Sequence, residues 1–366
     1  MRTRQKEIAQ FAKDASIAPL LDGGLSDELC DRFVENAIGR FALPLGVATN
    51  FLINGQEYVV PMAVEEPSVI AAASNAARMV RASGGFIATL PRSNTVAQIE
   101  LRNATQSLLT LKGEIPEIIR MANDTQPQLV QLGGGVVDVV LRENVGGPAR
   151  HVVHLVVNCL DAMGANMVNT MAEAVAPFLA MRCGATPGLK ILSNLADQRL
   201  VRAECRVAFL HLKRNGFGGE DVAKGVAAAS AFAEADPWRA ATHNKGIFNG
   251  IDPVLVATGN DWRAVEAGGH AFAVQEGQYK PLATWHIEDT HLIGKLEMPM
   301  AVGIVGGASK AHPAAAKCLE IMGIESAAEL AVVVASAGLA SNLAALSALS
   351  TEGIQAGHMR LHSRRV

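Results

Sequence analysis

Asp161-Ala-Met-Gly-Ala-Asn-Met-Val-Asn-Thr170 decides how this chain is read. The stretch stands where an apolar, strand-like run, residues 151–160, gives way to a long helical pattern. At that junction the Asp161 carboxylate is placed to accept a bond from an orphan backbone N–H, which predicts a helix from residue 162 capped by Asp161. Gly164 lets another group approach the backbone closely. Asn166, Asn169, Thr170 and Glu173 recur at helical spacing and lay a polar stripe along an otherwise apolar helix. A strand feeding a glycine-bearing helix N-terminus suits an anion such as a dinucleotide pyrophosphate. From the residues alone, a capped helix with a few exposed amides reads equally well.

Outward from this stretch, residues 95–102 alternate like a strand and 112–123 have helical periodicity. Residues 135–141 and 151–160 are strand-like, separated by the turn-rich Glu143-Asn-Val-Gly-Gly-Pro-Ala, and 189–192 follows the second helix. This is the β-α-β-β-α-β order of a ferredoxin-like unit. No G-x-G-x-x-G stands at a strand-to-helix turn, which disfavours a Rossmann domain. The flanks are mostly helical, most clearly over 26–38, 68–82, 219–235 and 326–349. Gly259-Asn-Asp-Trp-Arg opens a further helical pattern, with Asn260 or Asp261 as its cap. The expected fold class is therefore α+β. A mostly helical large domain, residues 1–92 and 194–357, carries an inserted ferredoxin-like small domain, 93–193, and is followed by a short segment, 358–366.

A chain of 366 residues with 49% hydrophobic and 18% charged residues can bury a large core. A net charge of −3 makes no case for nucleic acid. The five cysteines form no C-x-x-C pair, so reduced, mostly buried thiols in a cytoplasmic protein are expected. Residues 327–349 are long enough to raise a membrane span, but Glu329, Asn342 and several serines favour a buried packing helix, with no membrane partner.

Asp161-Ala-Met-Gly-Ala-Asn166 resembles a signature of hydroxymethylglutaryl-coenzyme A reductases. Glu35-Asn-Ala-Ile-Gly39, Pro61-Met-Ala-Val-Glu-Glu-Pro-Ser68, Ala241-Thr-His-Asn-Lys-Gly-Ile-Phe-Asn249, Gly259-Asn-Asp-Trp-Arg-Ala-Val-Glu266 and Gly357-His358 resemble further family motifs, in the family's order. The likeness runs from about residue 30 to 362 and suits the soluble bacterial class II. It implies an oxidoreductase interconverting hydroxymethylglutaryl-CoA and mevalonate plus CoA by two hydride transfers with NAD(P)H. It also implies a homodimer, with Glu35–Gly39 near the interface and the cofactor domain of one subunit facing the substrate domain of the other. In the family, a small ferredoxin-like domain binds the nicotinamide cofactor, in agreement with the strand and helix order.

Each hydride addition to a thioester builds negative charge on the carbonyl oxygen, so a fixed cation or strong donor is required beside it. Lys245, in a stretch without an adjacent acid, suits that task, although most such lysines are surface residues. By resemblance Asp261 hydrogen-bonds this lysine and the general acid and tunes both; its alternative role is to cap a helix. Glu65 and Glu66 before a proline would ordinarily serve the helix dipole. The resemblance selects Glu66 as the proton donor, kept protonated by coupling to Asp261, and Ser68 as a substrate contact. His358 matches the group that protonates the leaving CoA thiolate. Arg239 suits the substrate's free carboxylate, and Asn249 resembles another substrate-side residue. Asp161, Met163, Gly164, Asn166 and Asn194 resemble cofactor contacts. Asp124 is placed to accept from ribose hydroxyls and repel a 2′-phosphate, favouring NADH over NADPH, although a solvated loop aspartate reads nearly as well.

No metal is expected. His358 and His362 are an i,i+4 pair without a third ligand, and His151 and His154 read as strand residues. Class II members carry a further small helical domain closing over the site as a flap, and here the sequence ends eight residues after His358. The expectation drawn from that is impaired turnover, which a C-terminal extension would restore. Two other readings stay open: a silent dimeric scaffold binding CoA-type ligands, and a dehydrogenase of another acyl-CoA.

Overall fold

The structure, a computed structural model, describes residues 1–13, 16–351 and 353. The chain divides into two units, Met1–Leu90 with Val201–Val366, and Pro91–Leu200.

The unit Pro91–Leu200 contains strands Asn94–Arg102, Gly135–Arg142, His151–Asn158 and Thr186–Leu192, with principal helices Ile115–Asp124 and Ala165–Cys183. In space the strands run Gly135–Arg142, His151–Asn158, Asn94–Arg102, Thr186–Leu192, every neighbouring pair antiparallel. That is the ferredoxin-like arrangement. Alternation along the two central strands sends Ala97, Ile99, Leu101, Val153, Leu155 and Val157 into one core, where Val168, Met171, Val175 and Leu179 of the long helix meet them.

Asp161 does not cap that helix. The helix starts at Ala165 and its N-cap is Gly164, at φ +97°, with no side-chain cap bond. The cause is a close approach: a Cβ on Gly164 would lie 2.4 Å from Cys159 Sγ, so the chain loops over the end of its strand before it can coil. The unit also closes later than residue 193. Ser193 donates to the Val96 carbonyl and Asn94 to the Gln198 carbonyl, and Arg199 is fully buried.

The other unit is mostly helical, as expected, and also holds a large sheet. It is built on a six-stranded sheet in the order Ala283–Glu288, His291–Pro299, Leu200–Ala208, Phe86–Thr89, Leu45–Ile53, Gln56–Ala63. Two of its strands carry little alternation, since Tyr58, Val60, Pro61 and Met62 are all buried and Leu45–Ile53 is broken by a bulge between Ala48 and Phe51. Its pairing of Phe86 with Cys205 joins segments far apart in the chain. The helix expected over 26–38 stops at Phe33, where Val34 turns extended and Asn36 takes φ +57°.

Helix Ala327–Leu349 is the centre of this unit. By length and composition it could cross a membrane, but 94% of its most apolar window is buried inside the fold. Helix Pro237–Ala257 crosses it so closely that a Cβ on Gly250 would lie 2.3 Å from the Ala337 carbonyl oxygen. Ser341 Oγ donates to the Gly246 carbonyl at the same crossing. All five cysteines are free and buried.

Candidate active site

Helix Pro237–Ala257 is anchored at both ends of its His-Asn-Lys stretch. Pro237 occupies its first turn and Asp236 caps it by accepting from Arg239 N, a bond worth about 1 kcal/mol. Inside, Asn244 donates to the Lys280 carbonyl at 3.0 Å and accepts from Leu282 N at 2.8 Å, clamping the helix to the strand approach. His243 is buried as well, and its pKa is pushed down to about 4 by burial and by the Arg239 charge. With these neighbours held inside, Lys245 points outward.

There it meets Glu66. Lys245 Nζ lies 3.4 Å from Glu66 Oε2, across 179 positions of sequence. With side-chain exposures of 64% and 35%, such a pair contributes roughly 0–1 kcal/mol to stability. Folding energetics do not account for it.

The segment carrying Glu66 holds strain. Ser68, the N-cap of helix Val69–Arg81, sits at φ +79°, a left-handed conformation that costs a non-glycine residue about 1–2 kcal/mol. Its hydroxyl oxygen is buried without a hydrogen-bond partner among the described residues. A strained backbone and an orphaned hydroxyl beside a half-buried carboxylate are what a ligand-binding turn shows.

Asp261 is the N-cap of helix Trp262–Phe272, accepting from Ala264 N at 3.1 Å, and it lies 3.4 Å from Arg263. The expected hydrogen bonding of Asp261 to Lys245 and Glu66 is not the arrangement seen: Glu66 faces the ammonium, and Asp261 faces its own helix and an arginine. The turn before it is held from behind, since Asn260 accepts from Gly303 N and Gly259 packs on the backbone of Ala308 and Ser309. The Gly-rich turn 303–310 is therefore packing for the Asp261 turn.

Asn249 and Lys245 share one helical face, at i and i+4, and Asp252 continues it. Arg239 stands about a third of a turn away around the same helix. It is half-buried, and burial holds its pKa below the usual arginine value. His358, with His362, lies outside the described residues.

Among the cofactor candidates, Asp161, Met163 and Gly164 form the turn before helix Ala165–Cys183, with exposed Asn166 in its first turn and exposed Asn194 after strand Thr186–Leu192. Asn169, from the polar stripe, accepts from Leu192 N and is a structural tie. Asp124 is the last residue of its helix rather than a loop residue, and Arg120 donates to it at 2.7 Å. His151 accepts from Asn144 N, and burial lowers the pKa of His154. Among the described residues no group of three His, Cys, Asp or Glu side chains is arranged to hold a metal ion.

Two features escaped sequence reading. Asp252, on the Lys245 face, has its pKa raised to about 8 by burial and by the facing Glu266 of helix Trp262–Phe272. Its signal was an acid three residues after Asn249, at the spacing that continues the face. Arg199 is fully buried beneath the 161–164 turn, and an arginine at the head of an alternating strand was its sign.

Residues 1–363 match the family model described as hydroxymethylglutaryl-coenzyme A reductase. The 3-hydroxy-3-methylglutaryl-coenzyme A reductase of Archaeoglobus fulgidus is 50% identical over 99% of this chain and 84% of its own length. A probable reductase of the same kind from Borreliella burgdorferi is 33% identical, with the same coverage. The class II 3-hydroxy-3-methylglutaryl-CoA reductase from Streptococcus pneumoniae, solved bound to NADPH in open conformations, superposes with a TM-score of 0.92 at 40% identity. That match covers 96% of this chain and 97% of the other. The motifs, the fold and these relatives agree: the chain belongs to the hydroxymethylglutaryl-coenzyme A reductase family, oxidoreductases that interconvert hydroxymethylglutaryl-CoA and mevalonate plus CoA.

Proposed function

We propose that Lys245 and Glu66 are the reacting pair of this reductase, and the 3.4 Å contact between residues so distant in sequence carries the reading. An ammonium has three donors. One directed at Glu66 leaves others for the substrate carbonyl oxygen, where charge develops on reduction. Glu66 then stands within reach of the same oxygen to deliver a proton as the alcohol forms. Ser68, with its orphaned hydroxyl, binds the hydroxymethylglutaryl portion, Asn249 flanks it from the lysine's helix face, and Arg239 takes the free carboxylate. Asp261 orients the pair from the head of its helix, and His358 protonates the departing thiolate.

The nicotinamide dinucleotide supplies hydride when bound. The turn 161–164 fits such a group: it leads into a helix whose N-cap, Gly164, carries no side chain to take up the first-turn N–H groups. Asp161, Met163, Asn166 and Asn194 are the side chains placed around this turn and the neighbouring strand end. Asp124 and Glu117 share the single guanidinium of Arg120, so this corner of the unit keeps a net negative charge. That disfavours a 2′-phosphate and supports NADH. NADPH is the second reading, since the Streptococcus pneumoniae relative binds it.

A homodimer is supported by the apolar arm around Glu35–Gly39, where Val34, Ile38 and Phe41 are exposed. Sedimentation should give twice the chain mass.

The test is spectrophotometric. Absorbance of NADH and of NADPH is followed with hydroxymethylglutaryl-CoA, and the reverse reaction with mevalonate plus CoA. Turnover in both directions, faster with NADH, is expected. Ligand binding without turnover would make the chain a silent scaffold. Turnover with other acyl-CoAs but not with mevalonate would make it a different dehydrogenase.

A further inference from the structure

Arg199 has a relative exposure of 0%. Its terminal nitrogens lie under the 161–164 turn. One donates to the Met163 carbonyl at 3.0 Å and to Thr95 Oγ1 at 3.4 Å, and the other to the Ala162 carbonyl at 3.5 Å. Thr95 Oγ1 donates to the same Met163 carbonyl at 3.3 Å. Burying a guanidinium costs several kcal/mol before its bonds are counted, so filling the volume with an apolar side chain would be cheaper. Burial also pushes the arginine's pKa down, although the guanidinium stays charged.

The bonds have a geometric consequence. No peptide among the described residues is cis, and across a trans peptide the N–H points away from the carbonyl. Drawing the Ala162 and Met163 carbonyls onto Arg199 therefore turns the N–H groups of Met163 and Gly164 away from it. They adjoin the first-turn N–H groups of helix Ala165–Cys183, whose N-cap, Gly164, has no side chain to cap them. These donors point away from Arg199, whose buried positive charge lies behind them.

We infer that Arg199 is a positioning residue for the nicotinamide dinucleotide, holding the 161–164 turn in the conformation whose N–H groups take the pyrophosphate. The inference rests on the reading of this unit as the cofactor-binding one. Arg199 does not touch the ligand; it acts through the two carbonyls, and Thr95 is its second support.

The test uses the full chain with Arg199→Met, Arg199→Lys and Thr95→Val. Binding of NADH, NADPH, ADP and adenosine is titrated beside the thermal midpoint and the KM for hydroxymethylglutaryl-CoA. Loss of charge-assisted bonds predicts that Arg199→Met weakens both dinucleotides and ADP about tenfold to a hundredfold. Arg199→Lys should fall between it and wild type, and Thr95→Val should weaken the same ligands by a smaller factor. Adenosine, which has no phosphate, should bind all variants alike, and the KM for hydroxymethylglutaryl-CoA should not move. A merely structural arginine would weaken adenosine and ADP equally, and that result overturns the inference. If Arg199→Met does not fold, the other two variants decide it: unchanged ADP affinity in both refutes the role. A wild-type chain that binds neither dinucleotide overturns the cofactor reading itself, and with it this inference. A wild type that binds, with variants that bind equally well, overturns only the role of Arg199.

Discussion

Replacing Gly164 with alanine tests the geometry of the opening motif directly. An added Cβ would stand 2.4 Å from Cys159 Sγ, 2.9 Å from Cys159 Cβ and 3.5 Å from Thr95 Oγ1. Since carbon atoms pack at about 3.5–4.0 Å, the overlap on the sulfur exceeds about 1 Å. Two costs follow. Holding an alanine at φ +97° costs about 1–2 kcal/mol, and overpacking a buried contact costs about 1–3 kcal/mol. The variant should therefore lose roughly 2–5 kcal/mol, read as a shift in the urea midpoint at unchanged slope. Dinucleotide affinity should fall with it, because relief of the clash moves the turn that carries these N–H groups. The same substitution in a Cys159→Ala background separates the two costs. Removing the sulfur should recover part of the steric share and none of the conformational share, giving a coupling between the sites. Gly164→Ala within about 0.5 kcal/mol of wild type, or an identical loss with and without the Cys159 sulfur, would refute the reasoning.

Three further outcomes are expected. Lys245→Met should lower kcat by about a hundredfold to a thousandfold, while calorimetric affinity for hydroxymethylglutaryl-CoA stays near wild type; an equal fall in affinity would mean the lysine binds rather than activates. Asp252, whose pKa is raised to about 8, binds its proton more tightly in the folded chain, so its stabilisation is complete below the ordinary value of 3.8 and is lost as pH rises toward 8. Asp252→Asn should therefore raise the thermal midpoint more at pH 8 than at pH 5, and a pH-independent difference would count against the raised pKa. His243, pushed down to about 4, has the opposite sign: stability is present above 6.5 and declines as pH falls toward 4, a decline that His243→Phe should flatten in acid titrations followed by circular dichroism.

The ferredoxin-like unit was legible because its signals are local. Strands such as Asn94–Arg102 alternate, the long helix changes the period to that of a coil, and each connection is short enough to read in order. The start of that helix was misplaced for a reason that is not local: Gly164 must clear Cys159, and no pattern of the ten residues shows that contact. The six-stranded sheet was hidden by the same kind of effect. In Gln56–Ala63 consecutive residues are buried, which erases the alternation, and the pairing of Phe86–Thr89 with Leu200–Ala208 spans the whole inserted unit.

The site divides along the same line. Lys245 and Glu66 were found by their motifs, but chemistry at each residue separately gave no reason to join them; the fold does so across 179 positions. Asp261 shows the opposite case. Its capping role could be read from the sequence and is what the structure displays, whereas its link to Lys245 rests on family resemblance. The two readings are compatible only if the head of helix Trp262–Phe272 can serve both its own N–H groups and a bound substrate. Asp252 bears on that question, because burial and the facing Glu266 raise its pKa, and the two acids stand between the lysine's helix and the helix that Asp261 heads. If the link positions Asp261, Glu266→Gln should lower kcat more at neutral than at alkaline pH, since the amide lets Asp252 ionise at a pH where the wild-type residue keeps its proton, whereas above about 8 the wild type has lost it too. A loss of kcat that is the same at every pH would show that the pair serves stability alone.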